Sequence, residues 1–521
     1  MRLFTLLISL TITAFSQERP NIIFILVDDM GWSDIGCYGG EVKTPNIDKL
    51  ANEGLRLTQM HNTAKCFPSR ACLLTGVYAQ QCGMSNGINK ITNAVTLGEV
   101  LRSAGYRTLA SGKHHSNESL YDRGFDHYFG LRDGACNFFN PGLQRPGEAM
   151  PAQKRYGKRT WVDDEKVMQP YTPVDKKFYT TDAFTDKALS YLDEYKDEEK
   201  PFFLYLAYNA PHDPLQAWPE DIAKYKDTYK LGYKNIRDAR LKKMAELGVI
   251  NPAMKLPEPT HQDWDSLNPK ERETESLKMA IYAAMIDRVD QNIGRLLEKL
   301  ETIGKRKNTL IMFSSDNGSS YENAEKNVKK NDGELGSAGY WASLGVNWAN
   351  VSNTPYQRGK NSSHEGGICS PFIVHWPKNV PQNKIDAYPS HFIDIMPTLV
   401  ELTGAKYPKK HLMNTEVEMP VTPMQGISLL PLFKGQSNQE RSSPLFWQWS
   451  TDRAVRVGDW KLYSDNYQNW QLFDMNKDRN ETTDLSEDYP EKTEQLKNLY
   501  DQWAPKDVRK KPRKIKKKKQ S

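Results

Sequence analysis

The stretch "TAKCFPSRACLLTG" (63–76) holds a cysteine two residues before a proline and four before an arginine. The Pro68-Ser69 pair reads as a helix start, which puts Cys66 just ahead of a helix N-terminus, where a thiol pKa falls. A thiolate nucleophile is therefore open on physical grounds. A cysteine-based phosphate cradle needs arginine six residues after the cysteine, and that position is Cys72. A redox pair would read C-x-x-C, which is absent, and Cys66, Cys72 and Cys82 lack the paired short spacing of a zinc site.

Acidic groups sit elsewhere in a suggestive pattern. Asp28-Asp29 ends one apolar run and Asp316-Asn317-Gly318 ends another. Three carboxylates and an amide converging from different strands make a hard, oxygen-rich site suited to Ca²⁺ or Mg²⁺. Arg70, Lys113 and Lys360 add fixed positive charge, and His115 and His212 add titratable groups. That set suits a tetrahedral oxyanion, whose transferring oxygens need prearranged cations. The residues alone reach as far as a metal-assisted esterase acting on an anionic ester.

Five apolar, β-branched or aromatic runs can position these groups: "NIIFILV" (21–27), "YRTLAS" (106–111), "PFFLYLAY" (201–208), "NTLIMFSS" (308–315) and "PFIVHW" (371–376). Amphipathic stretches lie between them, at 44–54, 96–105 and 278–304. The alternation predicts an α/β fold, a large, mostly parallel sheet flanked by helices. Four of the strands are followed directly by polar residues: Asp28-Asp29, Lys113 to His115, Asn209 to His212, and Asp316-Asn317. In open α/β sheets ligands bind beyond the carboxyl ends of the strands, so these groups share one edge. Residues 216–272, polar and rich in Lys, Tyr and Pro, read as an insertion over that edge. From about 444 short strands and turns take over, predicting a smaller antiparallel sheet closed by the helix "EKTEQLKNLYDQW".

The division that follows is an export signal at 1–16, a catalytic domain at 17–435, a small C-terminal α+β subdomain at 436–505 and a basic tail at 506–521. The first segment has Arg2, an apolar run from Leu3 to Ile12, and small residues at Ala14 and Ser16. That is a cleavable signal peptide, which implies a secreted or periplasmic protein. No other apolar run approaches the ~18 residues of a membrane span. The net charge of +6 is misleading, because the tail carries ten Lys or Arg and one Asp, leaving the remainder near −3. Such a tail is normally solvated, and nothing in the chain argues for nucleic-acid binding. Six cysteines in 521 residues do not make a disulfide framework; one disulfide and buried free thiols both stay open.

With these residues in view, the sequence resembles the type I, formylglycine-dependent sulfatases of the alkaline-phosphatase-like superfamily. "CFPSRACLLTG" is similar to the family's C-x-P-S-R-x-x-x-(L/M)-T-G signature. "NIIFILVDDMGWSDIGCYG", "SGKHH", "NAPHDP", "SSDNG" and "RGKNSSHEGGICSPFIVHW" follow the family's order, and "RVGDWKL…LFDMNKDRNETTDL" resembles its small second domain. The resemblance implies that a maturation enzyme reading Pro68 and Arg70 oxidises Cys66 to Cα-formylglycine. One hydroxyl of the aldehyde hydrate then attacks sulfur and the alcohol leaves. The other hydroxyl loses its proton, the carbonyl reforms and sulfate is expelled.

The same resemblance implies one Ca²⁺ held by Asp28, Asp29, Asp316 and Asn317 with residue 66. It gives Arg70 the hydrate and the metal-site carboxylates, His115 the base, His212 the leaving-group acid and Lys360 the sulfate oxygens, with Lys113 beside the hydrate. Two departures stand out. The family's G-K-W-H is Gly112-Lys113-His114-His115 here, and register favours His115, which shares a side with Lys113 on an extended segment. His364 precedes Glu365 in the "EGG" segment and is a candidate substrate contact. The implied reaction is hydrolysis of sulfate esters, with a sulfated carbohydrate or an aryl sulfate as substrate. The alternative is a phosphodiesterase or phosphonate monoester hydrolase of the same superfamily.

Overall fold

β1 (Asn21–Val27) is apolar from Ile22 onward because both of its faces are covered. Ile23, Ile25 and Val27 enter one hydrophobic core, while Ile22, Phe24 and Leu26 enter another on the opposite side. The computed structural model describes residues 19–504 apart from 86, 326–327, 329, 412–417, 437–439 and 466–468. The export signal at 1–16 and the basic tail at 506–521 lie outside the described residues.

The large sheet is completed by β2 (Leu55–His61), β3 (Arg107–Lys113), β4 (His127–Leu131), β5 (Trp161–Asp163), β6 (Lys166–Met168), β7 (Phe202–Ala207), β8 (Thr309–Ser315), β9 (Cys369–His375), β10 (Lys384–Asp386) and β11 (Ser390–His391). Its order is β10-β2-β9-β8-β1-β7-β3-β4-β5-β6, with β11 also on β2. The centre, β8-β1-β7-β3-β4, is parallel. β9 runs antiparallel to both β8 and β2, so the sheet is mixed and mostly parallel.

β2 is the strand that the apolar runs did not mark. Its Arg56, Thr58 and Gln59 break the hydrophobic pattern, and each is buried with a polar partner. The guanidinium of Arg56 donates to the Cys37 carbonyl and to Asn383 Oδ1. A strand near the sheet margin keeps such residues when loops supply the missing partners.

After a short ribbon, β12 (Lys410–His411) with β13 (Met419–Pro420), the chain forms a four-stranded antiparallel sheet. Its strands are β14 (Leu445–Trp449), β15 (Asp452–Val457), β16 (Trp460–Ser464) and β17 (Gln471–Asp474), and the Pro490–Trp503 helix closes it. Phe446, Val455, Leu462 and Leu472 join the same core as Phe24. On its other face Leu445 and Trp447 meet Ala64 and Ile368, which places the small sheet against the loops around Cys66 and Glu365.

The 216–272 insertion contains the Gly232–Glu246 helix and leads into the 34-residue Pro269–Thr302 helix. Buried Arg240 ties the first of these to the loop after β1, donating to Asp34 Oδ1 and to both oxygens of Glu41 at 2.7 Å each. All six cysteines are buried free thiols.

Candidate active site

Cys66 is the first residue of the Cys66–Thr75 helix and is fully buried. Ser69 holds this start, its Oγ accepting from the Thr63 amide at 3.0 Å. Pro68 sits in the first turn, where a missing N–H costs nothing. Gly76 ends the helix in the left-handed conformation, φ +70°. The helix N-terminus and its unpaired amides thus face the side chain of residue 66.

The acidic groups arrive from strand ends, in the manner of an open α/β sheet. Asp28 and Asp29 follow β1, and Asp29 takes a left-handed backbone, φ +64°, that turns the chain across the edge. Tyr282 on the long helix supports the turn, its hydroxyl donating to the Asp29 carbonyl at 3.0 Å. Asp316 and Asn317 follow β8, with the Asp316 amide donating to the Val27 carbonyl. One ligand atom each of Asp28, Asp29, Cys66 and His212 lies within 4.8 Å of the others. Asn317 Nδ2 donates to Asp29 Oδ1 at 2.6 Å. Gly318 is needed beside it, because a Cβ there would stand 1.9 Å from the Gly366 carbonyl oxygen.

These residues fit a divalent cation on their own structure. Asp28 Oδ1 and Asn317 Oδ1 are buried acceptors without a protein donor, which is the state of atoms that serve as metal ligands. Burial and then the charge of Asp28 push Asp316 up to about 6. Asp28 is held low: burial opposes its charge, but Lys113, His212 and Arg70 prevail.

Fixed cations surround the acids. Arg70 Nε donates to Asp316 Oδ2 at 2.9 Å, and its Nη1 donates to the Lys113 carbonyl at 2.7 Å. Burial works against this guanidinium, yet the Asp316 carboxylate keeps it charged. Lys113, the last residue of β3, donates to Asp28 Oδ2. Lys360 donates to Asp29 Oδ2 at 2.7 Å, and burial is outweighed there by Asp29, which raises its pKa.

Two histidines complete the group. His212 places Nε2 at 3.5 Å from Asp29 Oδ2 and Nδ1 at 2.7 Å from Asp213 Oδ1. Burial would discharge it, but Asp29 first and then Asp213 raise its pKa well above the ordinary value. His115 has the opposite character. Burial, then Lys113 and Arg70, push it far below the ordinary range, and its Nδ1 has no protein partner. A neutral imidazole with a free nitrogen is a proton acceptor.

The extended register expected for 113–115 is bent in fact, since His115 adopts φ +63°. Its ring meets Phe67, the neighbour of Cys66, at 5.7 Å. Gly134 covers the other side, where a Cβ would come within 2.5 Å of His115 Nε2. His114 turns elsewhere, toward Tyr128 and the charges of Arg123 and Arg132.

The sequence comparisons agree with this geometry. The family model for sulfatases matches residues 20–405, and that for the C-terminal part of N-sulphoglucosamine sulphohydrolase matches 359–511. The chain belongs to the sulfatase family. It is 36% identical over 457 residues to the arylsulfatase of Klebsiella aerogenes, covering 82% of this chain and 95% of that one. It is 26% identical over 480 residues to the N-acetylglucosamine-6-O-sulfatase of Bacteroides thetaiotaomicron, covering 83% and 73%. Among solved structures it is similar to Ps i-CgsB in complex with k-i-k-neocarrahexaose. That likeness has a TM-score of 0.66 and 28% identity, over 93% of this chain and 92% of the other.

The sulfatase also holds groups that sequence reasoning missed. Asp213 was visible beside His212 in "NAPHDP", and it is part-buried, accepting from Ser343 Oγ at 2.9 Å as well as pairing with the histidine. Glu322 gave no signal, because its partner Lys65, at 2.9 Å, is 257 residues away. His364, the candidate substrate contact, is held by the C-terminal part of the chain. Its Nδ1 lies 2.9 Å from Glu481 Oε2 and its ring stacks at 3.8 Å on Tyr463. The residue following it, Glu365, joins Lys461 at 2.9 Å and His61 at 3.1 Å. His61, Glu365 and Cys369 come as close together as metal ligands do, but Lys461 already neutralises that carboxylate.

Proposed function

We propose that this sulfatase removes sulfate esters from a sulfated carbohydrate, a polysaccharide or glycosaminoglycan fragment, with Cys66 converted to Cα-formylglycine and one Ca²⁺ bound. The observation that carries the reading is the position of Cys66. It is buried at a helix N-terminus, with its Sγ within 4.8 Å of ligand atoms of Asp28, Asp29 and His212. In that place a formylglycine hydrate would supply the nucleophile and a divalent cation held by Asp28, Asp29, Asp316 and Asn317 would supply Lewis acidity.

This chain's residues divide the remaining work. Lys360 and Lys113 hold the anionic ester oxygens after exchanging part of their contact with Asp29 and Asp28. Charge-assisted bonds of this kind are roughly twice as strong as neutral ones. His212 carries a proton at Nε2 for the departing alcohol oxygen, and Asp213 orients the ring by accepting from Nδ1. His115, held neutral, accepts a proton near residue 66. Arg70 keeps Asp316 and the Lys113 backbone in register.

Carbohydrate as substrate is supported by similarity to relatives named for N-acetylglucosamine-6-O-sulfate and for a neocarrahexaose complex. An export signal at 1–16 fits the proposal, since sulfated polysaccharides are met outside the cell.

Two measurements test it. The peptide containing Cys66 from an active preparation should be about 18 Da lighter than the thiol form, as CH₂SH becomes CHO; an unmodified thiol there refutes the nucleophile. Rates on matched aryl sulfate and aryl phosphate should favour sulfate, and a preference for phosphate by orders of magnitude supports the phosphodiesterase alternative instead.

A further inference from the structure

A cavity of about 1100 Å³ opens between the 216–272 insertion, the start of the long helix, the 139–151 loop and residues 334–338. That is at the upper end of sites that enclose a single small molecule. It is separate from the reacting centre, but the two share a wall. The segment from Asp213 to Ala217 links them, at most about 14 Å of chain. Gln216 bridges to Gly336, and the Ala152 amide donates to the Ala338 carbonyl at 2.9 Å. Pro151 and Ala338 line the cavity, while Ala152 and Trp341 pack together behind them. Trp341 Nε1 lies 3.5 Å from Asp213 Oδ2. The rim of the cavity is therefore the outer wall of the site that holds His212.

The lining has three features of one ligand type. Trp218 and Trp264, both partly exposed, offer indole surfaces, and Trp218 is braced by Phe139 at 4.9 Å. Lys176 and Lys226 are exposed on the lining and make no ion pair among the described residues, Lys176 donating to the Pro146 carbonyl at 3.4 Å. Ser276 is 3% exposed, and its hydroxyl has no hydrogen-bond partner. The lining also carries Glu148, Glu273 and Glu334, but Arg145, Lys176, Lys226, Lys230 and Arg272 outnumber them. With flat aromatic faces and a free hydroxyl, this net basic surface suits a polyhydroxylated chain with anionic substituents. An apolar ligand would leave the two lysines and Ser276 unused.

We propose that this cavity holds the continuation of the substrate's own anionic glycan chain, so that the sulfatase recognises an oligosaccharide several residues long. The inference rests on the carbohydrate reading above. The chain runs from the ester at residue 66 over the Ala152–Ala338 rim and stacks on Trp218 and Trp264. Its further sulfates or carboxylates pair with Lys176 and Lys226.

The test compares kcat/KM on p-nitrophenyl sulfate with kcat/KM on sulfated galactan and glycosaminoglycan hexasaccharides, for the full chain and for Trp218→Ala and Lys226→Glu. The proposal expects the ratio of hexasaccharide to aryl sulfate to fall tenfold or more in both variants. The change should be carried mainly by KM and should weaken with added salt, as screening requires. Lys226→Glu alters an exposed side chain, so it keeps the test informative if Trp218→Ala does not fold. A ratio that stays constant in Lys226→Glu overturns the proposal, as does a parent enzyme that cleaves sulfated monosaccharides as well as hexasaccharides. Failure of the carbohydrate reading is a different result: activity on aryl sulfate and none on any sugar.

Discussion

His212 and Asp213 are adjacent in sequence, and His212 Nδ1 lies 2.7 Å from both the Asp213 backbone carbonyl oxygen and its Oδ1. The Asp213 carboxylate, 10% exposed, also accepts from Ser343 Oγ at 2.9 Å. The pair keeps the Nε2 proton aimed back at the site, where Asp29 waits 3.5 Å away. Asp213→Asn should therefore cost most when the leaving group needs a proton. We expect kcat/KM to fall on the order of 10²-fold for a sugar sulfate and under tenfold for p-nitrophenyl sulfate, the range of general-acid contributions. Equal losses on both substrates would remove His212 from the leaving-group role.

Asp28 Oδ1 and Asn317 Oδ1 are acceptors waiting for a donor or a cation. A ligand that binds only the folded state stabilises it by RT ln(1 + [L]/Kd), about 2.7 kcal/mol at a hundredfold excess over Kd. Chelation should lower the melting temperature and abolish turnover, and Ca²⁺ should restore both. Asn317→Ala should move the midpoint of the calcium-dependent melting shift to at least tenfold higher Ca²⁺. Thermal scans across a calcium titration, before and after chelation, measure this without reference to activity. A melting temperature indifferent to Ca²⁺ would contradict the metal assignment.

The sheet edge was legible because the strands that build it are buried on both faces and so read as unbroken apolar runs. β1 ends where its apolar letters stop, with Asp28 next, and the polar residues of the site follow β7 and β8 within a few positions. β2 was invisible for the converse reason, as Arg56 and Gln59 are buried through hydrogen bonds that only the folded chain supplies. Lys113 and His115 were legible, but the bend between them was not, since φ +63° at His115 is imposed by packing against Phe67 and Gly134. His364 was named for its place before Glu365 in the "EGG" segment, and its partner Glu481 is far along the chain, beyond the reach of any local pattern. Glu481 follows β17, in the stretch before the Pro490–Trp503 helix.

His375, at the end of β9, gives the stability a dependence on pH remote from the site. It is buried, and its Nδ1 accepts from Arg306 Nη1 at 3.0 Å. Burial and then the Arg306 charge lower its pKa to about 3. Glu53 at 3.5 Å pulls the other way, but that carboxylate is 42% exposed and well solvated. A folded pKa below the unfolded value near 6.5 means the unfolded chain binds the extra proton. The contribution is therefore whole above about pH 6.5 and is lost as the pH falls toward 3. Melting temperatures measured from pH 7.5 to 5 should decline, and His375→Leu should decline less steeply. The same slope in both proteins would show that this imidazole is not the group responsible.

Lys461 lies at the centre of the joint between the small sheet and the catalytic domain. Its ammonium meets Glu365 at 2.9 Å and Glu481 at 2.7 Å, all three wholly buried. Glu365 also faces His61 from β2, and the Glu365 amide donates to Glu481 Oε2. Burial opposes the ammonium charge, but the two carboxylates raise its pKa and it stays charged. Removing it leaves two buried carboxylates facing each other. Breaking such a buried pair from one side costs about 3–5 kcal/mol, so Lys461→Met should lower the melting temperature by several degrees. The segment Lys360 to Glu365 runs from the reacting centre to this joint, so the variant should also raise KM for sulfate esters. Lys461→Met combined with Glu365→Gln and Glu481→Gln removes the stranded charges and should recover much of the loss. If the triple variant melts no higher than Lys461→Met alone, the stranded-charge explanation is wrong.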